Sequence, residues 1–465
     1  MDYTTIQNPL ADIGRIHFLD HMRALALIAG ILIHACFPYA YIIQDKWLLT
    51  DPTSSMSITY GFLFLHLFRM PLFYLIAGFF ANYLYQKRGA MGFLKHRLKR
   101  IGLPFLIFLP LILIAANIMI FLVMFQVPEE SMSPVARQII LPMKAQIELV
   151  RARKAGISDN TIGNDDTRGP AEDKSIEPGS APELFENGKA SAPDPDQVRE
   201  INPAENSGAG QADPQITQHL WFLFYLLFFC LCAALLQRFN HPIITKIFDK
   251  IFSSPIYLWL IPLFMVPSLY HIDVPWQAPM HILPRLWPFG YFGIFFLFGW
   301  HLFYHQDYLD RIDKHLGLMV VVSILASAFY LYFTPGYYLN LSAVGADKES
   351  LAAMVFFRKM LLVVLEAYSG VFLTVISLIF GKRYLNFGNR YMRFISDSSY
   401  WIYIIHFPLV TCIQVFFVTA PFPGYYKLIL SSAIMFCIGL VTYRYVVRYT
   451  FIGTMLNGKR VRGLA

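Results

Sequence analysis

The chain has 465 residues, of which 56% are hydrophobic and only 15% are charged. Soluble domains carry about a quarter charged residues, so this composition excludes an ordinary soluble protein and predicts a membrane protein. The net charge of +8 does not indicate nucleic-acid binding, because the basic residues lie in short segments between long apolar runs. This arrangement is typical of the cytoplasmic loops of membrane proteins.

Long apolar runs recur along most of the chain. A transmembrane helix needs about 20 predominantly apolar residues, and it tolerates proline or glycine when neighbouring groups satisfy the backbone. We therefore predict an all-α, polytopic helical bundle with about ten transmembrane helices. The predicted spans are 18–43, 58–85, 101–126, 219–237, 253–270, 289–305, 316–335, 352–380, 397–419 and 425–450. Spans 253–270, 289–305 and 397–419 carry Pro262, Pro267, Gly293 and Pro408, which a spanning helix tolerates in this way.

The segments between these spans predict which side of the membrane each loop faces. The segment QKRGAMGFLKHRLKR (86–100) is strongly basic, and so are 238–250, 381–393 and the C-terminal tail. Cytoplasmic loops carry an excess of Lys and Arg, which assigns these segments to the cytoplasm. With ten spans, the N- and C-termini are then both cytoplasmic.

Residues 127–218 differ from the rest of the chain. They include stretches such as SAPDPDQ and NPAENSGAGQADPQ and are mostly acidic from Asp159 onward. Low hydrophobicity with many Pro, Gly, Ser and Asp residues is typical of disorder, although a short helix is allowed at 133–154. We predict three regions: a first membrane portion at 1–126, a largely disordered extracytoplasmic insert at 127–218, and a second membrane portion at 219–465.

The first predicted span contains the stretch RALALIAGILIH, with ionisable residues Arg23 and His34 at its ends. Eleven residues of helix make about three turns and rise about 16 Å, so Arg23 and His34 share one face. Ionisable groups against lipid are costly, which predicts that this face points into the bundle or a wet cavity. The alternative is that Arg23 snorkels to the lipid headgroups and His34 bonds a neighbouring carbonyl.

The Arg-x10-His pattern and four further stretches resemble the acyltransferase-3 family of integral-membrane O-acyltransferases. The stretches are FRMPLFYLIAGFF (68–80), FLKHRLKRIGLP (93–104), HLWFLFYLLFF (219–229) and SSYWIYIIHFPLV (398–410). The stretch at 219–229 is similar to the branch of the family that succinylates periplasmic glucans. Where the family often has Asp-Gly-x-Arg, this chain reads DHMR at 20–23, a spacing that still allows an Asp20–Arg23 ion pair.

The resemblance implies transfer of an acyl group from cytoplasmic acyl-CoA to a hydroxyl of a cell-envelope carbohydrate. The implied donor is succinyl-CoA or acetyl-CoA, and the implied acceptor is a periplasmic glucan or another envelope polysaccharide. The implied location is the bacterial inner membrane, with lipid around the bundle. No bound cofactor is expected beside the donor substrate, and neither HExxH nor Gly-x-Ser-x-Gly is present to indicate a metal or a serine nucleophile.

His34 is the candidate general base of this reaction, because an imidazole suits proton transfer near neutral pH. A covalent acyl-imidazole is the alternative. Arg23, on the same helix face, is a catalytic candidate and, with Arg97 and Arg100, a candidate ligand for the phosphates of CoA, since guanidinium groups bind phosphate through paired hydrogen bonds. The alternative for Arg97 and Arg100 is ordinary positive charge at the cytoplasmic surface.

Four further residues are candidates for orienting groups. Arg69 is a candidate to orient the acceptor or the carboxylate of a succinyl group. Glu366, in LLVVLEAYSG, is a candidate to orient His34 or to serve as a structural partner of a histidine or arginine. His406 is a further candidate on the acceptor side. Trp221 is either an interface aromatic or a stacking surface for a sugar ring.

Two other classes of protein also fit a ten-span bundle with buried charges. One is a transporter or flippase for a lipid-linked sugar, and the other is a structural membrane partner of a polysaccharide machine. The lack of a recognisable internal repeat and the several family motifs favour the acyltransferase. Acyl-CoA hydrolysis or transfer by the purified protein separates it from both alternatives.

Overall fold

The computed structural model describes residues 16–44, 46–159, 215–238, 242–272, 275, 277–341 and 348–458. In these ranges the chain forms fifteen α-helices and no strand, which confirms the predicted all-α class. The helices are α1 (His17–Ala35), α2 (Met56–Arg97), α3 (Leu103–Gln126), α4 (Pro134–Asp159), α5 (Trp221–Arg238), α6 (Pro242–Ser253), α7 (Ile261–Tyr270), α8 (Trp287–Gly290), α9 (Phe292–Leu302), α10 (Tyr308–Asp313), α11 (Leu316–Leu341), α12 (Lys348–Tyr384), α13 (Arg390–Phe417), α14 (Gly424–Thr442) and α15 (Phe451–Asn457).

The chain divides into two compact units, residues 1–141 with 215–465 and residues 142–214. The helix allowed at 133–154 is present as α4. In the second unit the structure describes only the later part of α4, so the predicted disorder of the acidic stretch lies outside the described residues, as does most of the C-terminal tail. The predicted division into three regions stays a prediction.

The helices of the described ranges make the chain a multi-pass membrane protein. Seven helical segments there are long and apolar enough to cross a membrane, or eight if the bent pair Thr245–Ser253 and Pro255–Tyr270 forms one span. One of the seven, Met56–Gln126, has 71 residues and contains the two predicted spans 58–85 and 101–126. The number of crossings and the side on which each terminus lies stay predictions.

Two of the ten predicted spans are more bent or shorter than a single transmembrane helix. Span 253–270 begins at a bend, where the helical segments Thr245–Ser253 and Pro255–Tyr270 meet at an angle of 110°, because Pro255 cannot continue the hydrogen bonding of a preceding helix. In 289–305, α9 has only 11 residues and is therefore about 16 Å long. This length is about half the hydrocarbon thickness of a bilayer.

The C-terminal ends of α1 and α2 differ from the predicted spans. α1 ends at Ala35 and is followed by 3₁₀ turns, because Pro38 cannot continue an α-helix. α2 instead continues to Arg97, so most of the basic segment 86–100 is helical rather than a loop. Gly89 interrupts this extension with a φ of 66°, a conformation that glycine adopts without steric cost.

The backbones of α2 and α9 pack in close contact. A Cβ atom added to Gly78 would lie 1.9 Å from the carbonyl oxygen of Phe296. Reciprocally, one added to Gly299 would lie 1.9 Å from the carbonyl oxygen of Leu75. Small residues permit such close approach of helices within a membrane. This contact fixes the position of α2 in the bundle.

α1 and α13 run side by side in the same direction. The Arg23 guanidinium lies 3.4 Å from the Ser399 hydroxyl, early in both helices. Farther along the same pair of helices, the ring centroids of His34 and His406 lie 4.9 Å apart. The interface between α1 and α13 therefore holds two pairs of polar side chains, Arg23 with Ser399 and His34 with His406.

Candidate active site

A cavity of about 1560 Å³ is lined by α1, α2, α5, α13 and the segment between α7 and α8. Seven of the eight residues that the sequence predicts for the site line this cavity. They are Arg23, His34, Arg69, Arg97, Arg100, Trp221 and His406. Arg23 and His34 therefore face a cavity rather than lipid.

The charge of the cavity wall has a single sign. Six arginine and lysine side chains and seven histidines line the cavity. No aspartate or glutamate is among the described residues that line it. A cleft lined by charge of one sign focuses the electrostatic potential, so this cavity attracts anions.

Three histidines from different elements meet on the cavity wall. The ring centroid of His406, on α13, lies 4.9 Å from that of His34 on α1 and 5.2 Å from that of His219. His219 lies in the 3₁₀ turn that precedes α5. In the described part of the chain, no group of three or more His, Cys, Asp and Glu residues is arranged to hold a metal ion.

Backbone carbonyl groups fix the tautomers of two of these histidines. A carbonyl oxygen can only accept, so the ring nitrogen that contacts it carries the proton. His406 Nδ1 donates to the Tyr403 carbonyl at 2.6 Å, and in the neutral ring its Nε2 therefore holds a lone pair. His219 Nε2 donates to the Ile404 carbonyl at 3.0 Å. His34 is less constrained, because its Nδ1 has no hydrogen-bond partner among the described residues.

Arg69 lies on the same wall as His34. It is only 8% exposed, and its Nε meets no hydrogen-bond acceptor in the described ranges. A Cβ atom added to Gly30 would lie 3.1 Å from Arg69 Nη1, so the guanidinium lies against α1 where a side chain is absent. Gly30 precedes His34 by one helical turn.

Arg23, Arg97 and Arg100 line another part of the cavity. Arg23 lies 3.9 Å from Asp20, in the ion pair that the spacing of the two residues allows. Arg100 Nη1 donates to two carbonyls in the last turn of α15, at 2.8 and 3.1 Å. Carbonyls at a helix end lack partners within the helix, so Arg100 also anchors α15.

Aromatic rings form the cavity wall around His34. Phe37 has its ring centroid 5.0 Å from that of His34 and 4.8 Å from that of Trp47. Trp221 also lines the cavity but is only 7% exposed, with its ring centroid 5.4 Å from that of Phe292. Most of the Trp221 indole therefore packs against other aromatic rings of the protein.

Glu366 is the predicted site residue that the structure does not bring into the cavity. It lies on α12 and is 0% exposed. Its electrostatic neighbours are the phenols of Tyr291, just before α9, and Tyr330, on α11. The carboxylate thus faces α9 and α11 rather than α1, and its position does not support the predicted role of orienting His34.

Five histidines of the cavity were not predicted from the sequence: His66, His96, His219, His271 and His281. Of these, His66 and His219 lie in predicted apolar spans, where an ionisable side chain is a functional candidate for the same reason as His34. His66 also precedes Arg69 by three residues, so the two lie on neighbouring parts of one helix surface. These signals were sufficient to include both histidines.

Comparisons with known proteins agree with the resemblance seen in the sequence. The model of the acyltransferase-3 family, described as an acyltransferase domain, matches residues 16–444. Glucans biosynthesis protein C of Escherichia coli (strain K12) is 32% identical over 106 residues, which cover 23% of this chain and 27% of that protein. Glucans biosynthesis protein C of Salmonella paratyphi B is 33% identical over 98 residues, which cover 21% of this chain and 25% of that protein. The chain therefore aligns with about a quarter of the length of these relatives, and no solved structure matches it.

The family match extends over α1 to α14 and includes every predicted site residue. The match covers far more than half of the chain, and it confirms the resemblance that the motifs indicate. This multi-pass membrane protein belongs to the acyltransferase-3 family of acyltransferases.

Proposed function

We propose that this protein is an integral-membrane O-acyltransferase that moves a succinyl or acetyl group from cytoplasmic acyl-CoA to a hydroxyl of a cell-envelope carbohydrate. The family gives the type of reaction. The similarity to glucans biosynthesis protein C favours a glucan acceptor. A periplasmic acceptor and a cytoplasmic donor together require a location in the bacterial inner membrane.

The main support is the single sign of charge on the cavity wall. Cations and histidines line the cavity, and no acidic residue in the described ranges does. CoA carries several phosphates, which arginine binds through paired hydrogen bonds. Acyl transfer to a hydroxyl also requires a base. The cavity offers both, with arginines around Arg23 and Arg97 and a histidine cluster around His34.

The spacing of Arg23 and His34 suits the two ends of one donor molecule. Their positions on α1 are separated by about 16 Å along the helix axis. A phosphate bound at Arg23 would leave the extended pantetheine arm of CoA to run along this face toward His34. α13 supports both positions, with Ser399 beside Arg23 and His406 beside His34.

His34 is the proposed general base. The acceptor oxygen attacks the thioester carbon, and its proton moves to a ring nitrogen of His34 as the new C–O bond forms. When the C–S bond breaks, its electron pair goes to sulfur, and the proton on His34 passes to the CoA thiolate. His34 Nδ1 has no hydrogen-bond partner among the described residues, so this nitrogen is not committed to a protein group.

The test uses the purified full-length protein in proteoliposomes, with acyl-CoA labelled in the acyl group and periplasmic glucan as the acceptor. Label in the glucan, with a mass increase of one succinyl or one acetyl group, would support the proposal and identify the acyl group. Arg97→Gln should raise KM for acyl-CoA. If a lipid-linked sugar instead moves between leaflets and no acyl transfer or acyl-CoA hydrolysis occurs, the transporter replaces the acyltransferase.

A further inference from the structure

Arg69 is a deeply buried cation without an anionic partner among the residues that the structure describes. Its side chain is 8% exposed on the cavity wall, and no described carboxylate forms an ion pair with it. Nε lacks any hydrogen-bond acceptor in the described ranges. Burying an unpaired charge is costly, so a guanidinium retained in this position is suited to an anion from outside the described part of the chain, such as a substrate.

The glycine at position 30 determines where this cation lies. A Cβ atom added to Gly30 would be 3.1 Å from Arg69 Nη1 and 3.8 Å from its Cδ. Because His34 follows Gly30 by one turn on the same face of α1, the guanidinium and the imidazole occupy neighbouring levels of one wall. A thioester that is attacked beside His34 can therefore direct its carbonyl oxygen toward Arg69.

We propose that Arg69 is a catalytic residue that stabilises the oxyanion formed on the thioester carbonyl, and that Gly30 provides the space in which it does so. This inference rests on the proposed acyl transfer. Fixed donors aimed at a developing oxyanion in a site of low dielectric are among the largest contributions to catalysis. In the expectation from sequence, by contrast, Arg69 orients the acceptor or the carboxylate of a succinyl group.

The step balances without any further reactant. The acceptor oxygen bonds to the carbonyl carbon and its proton moves to His34, while the carbonyl π pair becomes the oxyanion that Arg69 holds. When the oxyanion re-forms the C=O bond, the C–S bond breaks and its electron pair leaves on sulfur. The proton held by His34 then passes to the CoA thiolate, and Arg69 is unchanged.

The experiment measures kcat and KM in proteoliposomes for wild type, Arg69→Lys, Arg69→Ala, Gly30→Ala and the control Gly61→Ala. Gly61 is a glycine of α2 at which a Cβ atom would meet nothing within 4 Å. Each variant is assayed with both succinyl-CoA and acetyl-CoA, and binding of a non-reactive thioether analogue of the donor verifies that the cavity is intact. Exogenous guanidinium is then added to the Arg69→Ala enzyme.

Loss of an oxyanion donor lowers kcat by about 100- to 1,000-fold. We expect Arg69→Ala to show this loss equally with both donors, with binding of the thioether analogue unchanged and with partial rescue by guanidinium. Arg69→Lys keeps the charge but not the planar fork and should be intermediate. Gly30→Ala should lower kcat by less than Arg69→Ala, and Gly61→Ala should match wild type.

Three results would overturn the inference. A loss confined to succinyl-CoA would assign Arg69 to the acyl carboxylate, and a rise in KM without a fall in kcat would assign it to donor binding. Arg69→Ala that binds the analogue and turns over at the wild-type rate would leave Arg69 no catalytic role. In each of these cases the wild type is active and the proposed function stands, whereas an inactive wild type removes both.

Discussion

Two sites in the bundle bury charge in opposite ways. Lys427, on α14, is 1% exposed, and Asp51, in the segment between α1 and α2, is 2% exposed. They form an ion pair of 2.6 Å. Asp51 also accepts from the Thr53 backbone amide at 2.8 Å, and Lys427 donates to the Val418 carbonyl at 3.2 Å. Each charge in this pair has its partners within the protein.

The cavity is arranged differently. Arg69 is nearly as buried, yet it pairs with no carboxylate in the described part of the chain, and the histidines beside it leave ring nitrogens without protein partners. A buried charge with a complete set of protein partners stabilises the fold. Removing one partner leaves the other charge buried and uncompensated, which is strongly destabilising. A buried ionisable group without such partners that also lines the cavity is available to a substrate. We therefore expect mutations of the Asp51–Lys427 pair to lower the stability of the protein, and mutations in the cavity to lower its activity.

The largest effect on activity is expected at His34. Glutamine keeps polarity at this position but cannot serve as a base, so His34→Gln should lower kcat by about 100- to 10,000-fold and leave the unfolding midpoint unchanged. The measurement is label transfer to glucan, with His315→Gln, a change at an exposed histidine outside the cavity, as the matched control. Activity of His34→Gln near the wild-type level would exclude His34 as the base.

Breaking the ion pair should have the opposite signature. Asp51→Asn leaves the Lys427 ammonium buried without a counter-ion, and the free energy of unfolding should fall by about 3–5 kcal/mol. The measurement is denaturation in mixed micelles, with activity assayed on the protein that remains folded. The double variant Asp51→Asn with Lys427→Met should be less destabilised than the sum of the single variants, because it removes both charges.

An exposed ion pair serves as the control for this second prediction. Arg311 and Asp307 lie 3.2 Å apart, with side chains 37% and 69% exposed. Asp307→Asn should cost about 0.2–1 kcal/mol. If Asp51→Asn costs no more than Asp307→Asn, the buried pair does not stabilise the fold and the contrast between the two sites fails.

A smaller effect on activity is expected at His406. Phenylalanine keeps the ring that packs against His34 but removes the Nε2 acceptor. A single neutral hydrogen bond contributes about 0.5–1.5 kcal/mol, so His406→Phe should raise KM for the glucan by about two- to tenfold. Steady-state kinetics with varied glucan and saturating acyl-CoA measure this change. A fall in kcat as large as that of His34→Gln would instead make His406 the base.

The features of the fold that depend on hydropathy and helix periodicity were predictable from the sequence. Apolar runs about as long as a membrane is thick led to the all-α bundle, and the Arg-x10-His spacing placed Arg23 and His34 on one face. Hydropathy does not determine where a helix stops, because capping and proline act locally. α1 therefore ends at Ala35, and α2 continues through most of the basic segment 86–100.

The sequence was sufficient to predict many residues of the candidate site, but not the contacts between them. An ionisable residue in an apolar run is visible in the sequence, as with His34 and Arg69, and His66 and His219 show the same signal. The partners are not visible, because they come from distant parts of the chain. Asp51 and Lys427 are 376 positions apart, and no local pattern joins them.

The smallest effect is expected at Glu366, whose contacts could not be predicted from the sequence. Its sequence signal equals that of His34, a lone ionisable residue in an apolar span, but its carboxylate faces Tyr291 and Tyr330 and lies outside the cavity. Because Glu366→Gln keeps the shape of the side chain, we expect label transfer at the wild-type rate and only a small change in the unfolding midpoint. Loss of transfer as severe as that of His34→Gln, at unchanged stability, would show that Glu366 acts on the reaction from outside the cavity. A buried ionisable group outside the cavity would then affect the reaction without contact to the substrate. In that case, the position of a buried charge inside or outside the cavity would not predict whether its mutation lowers activity or stability.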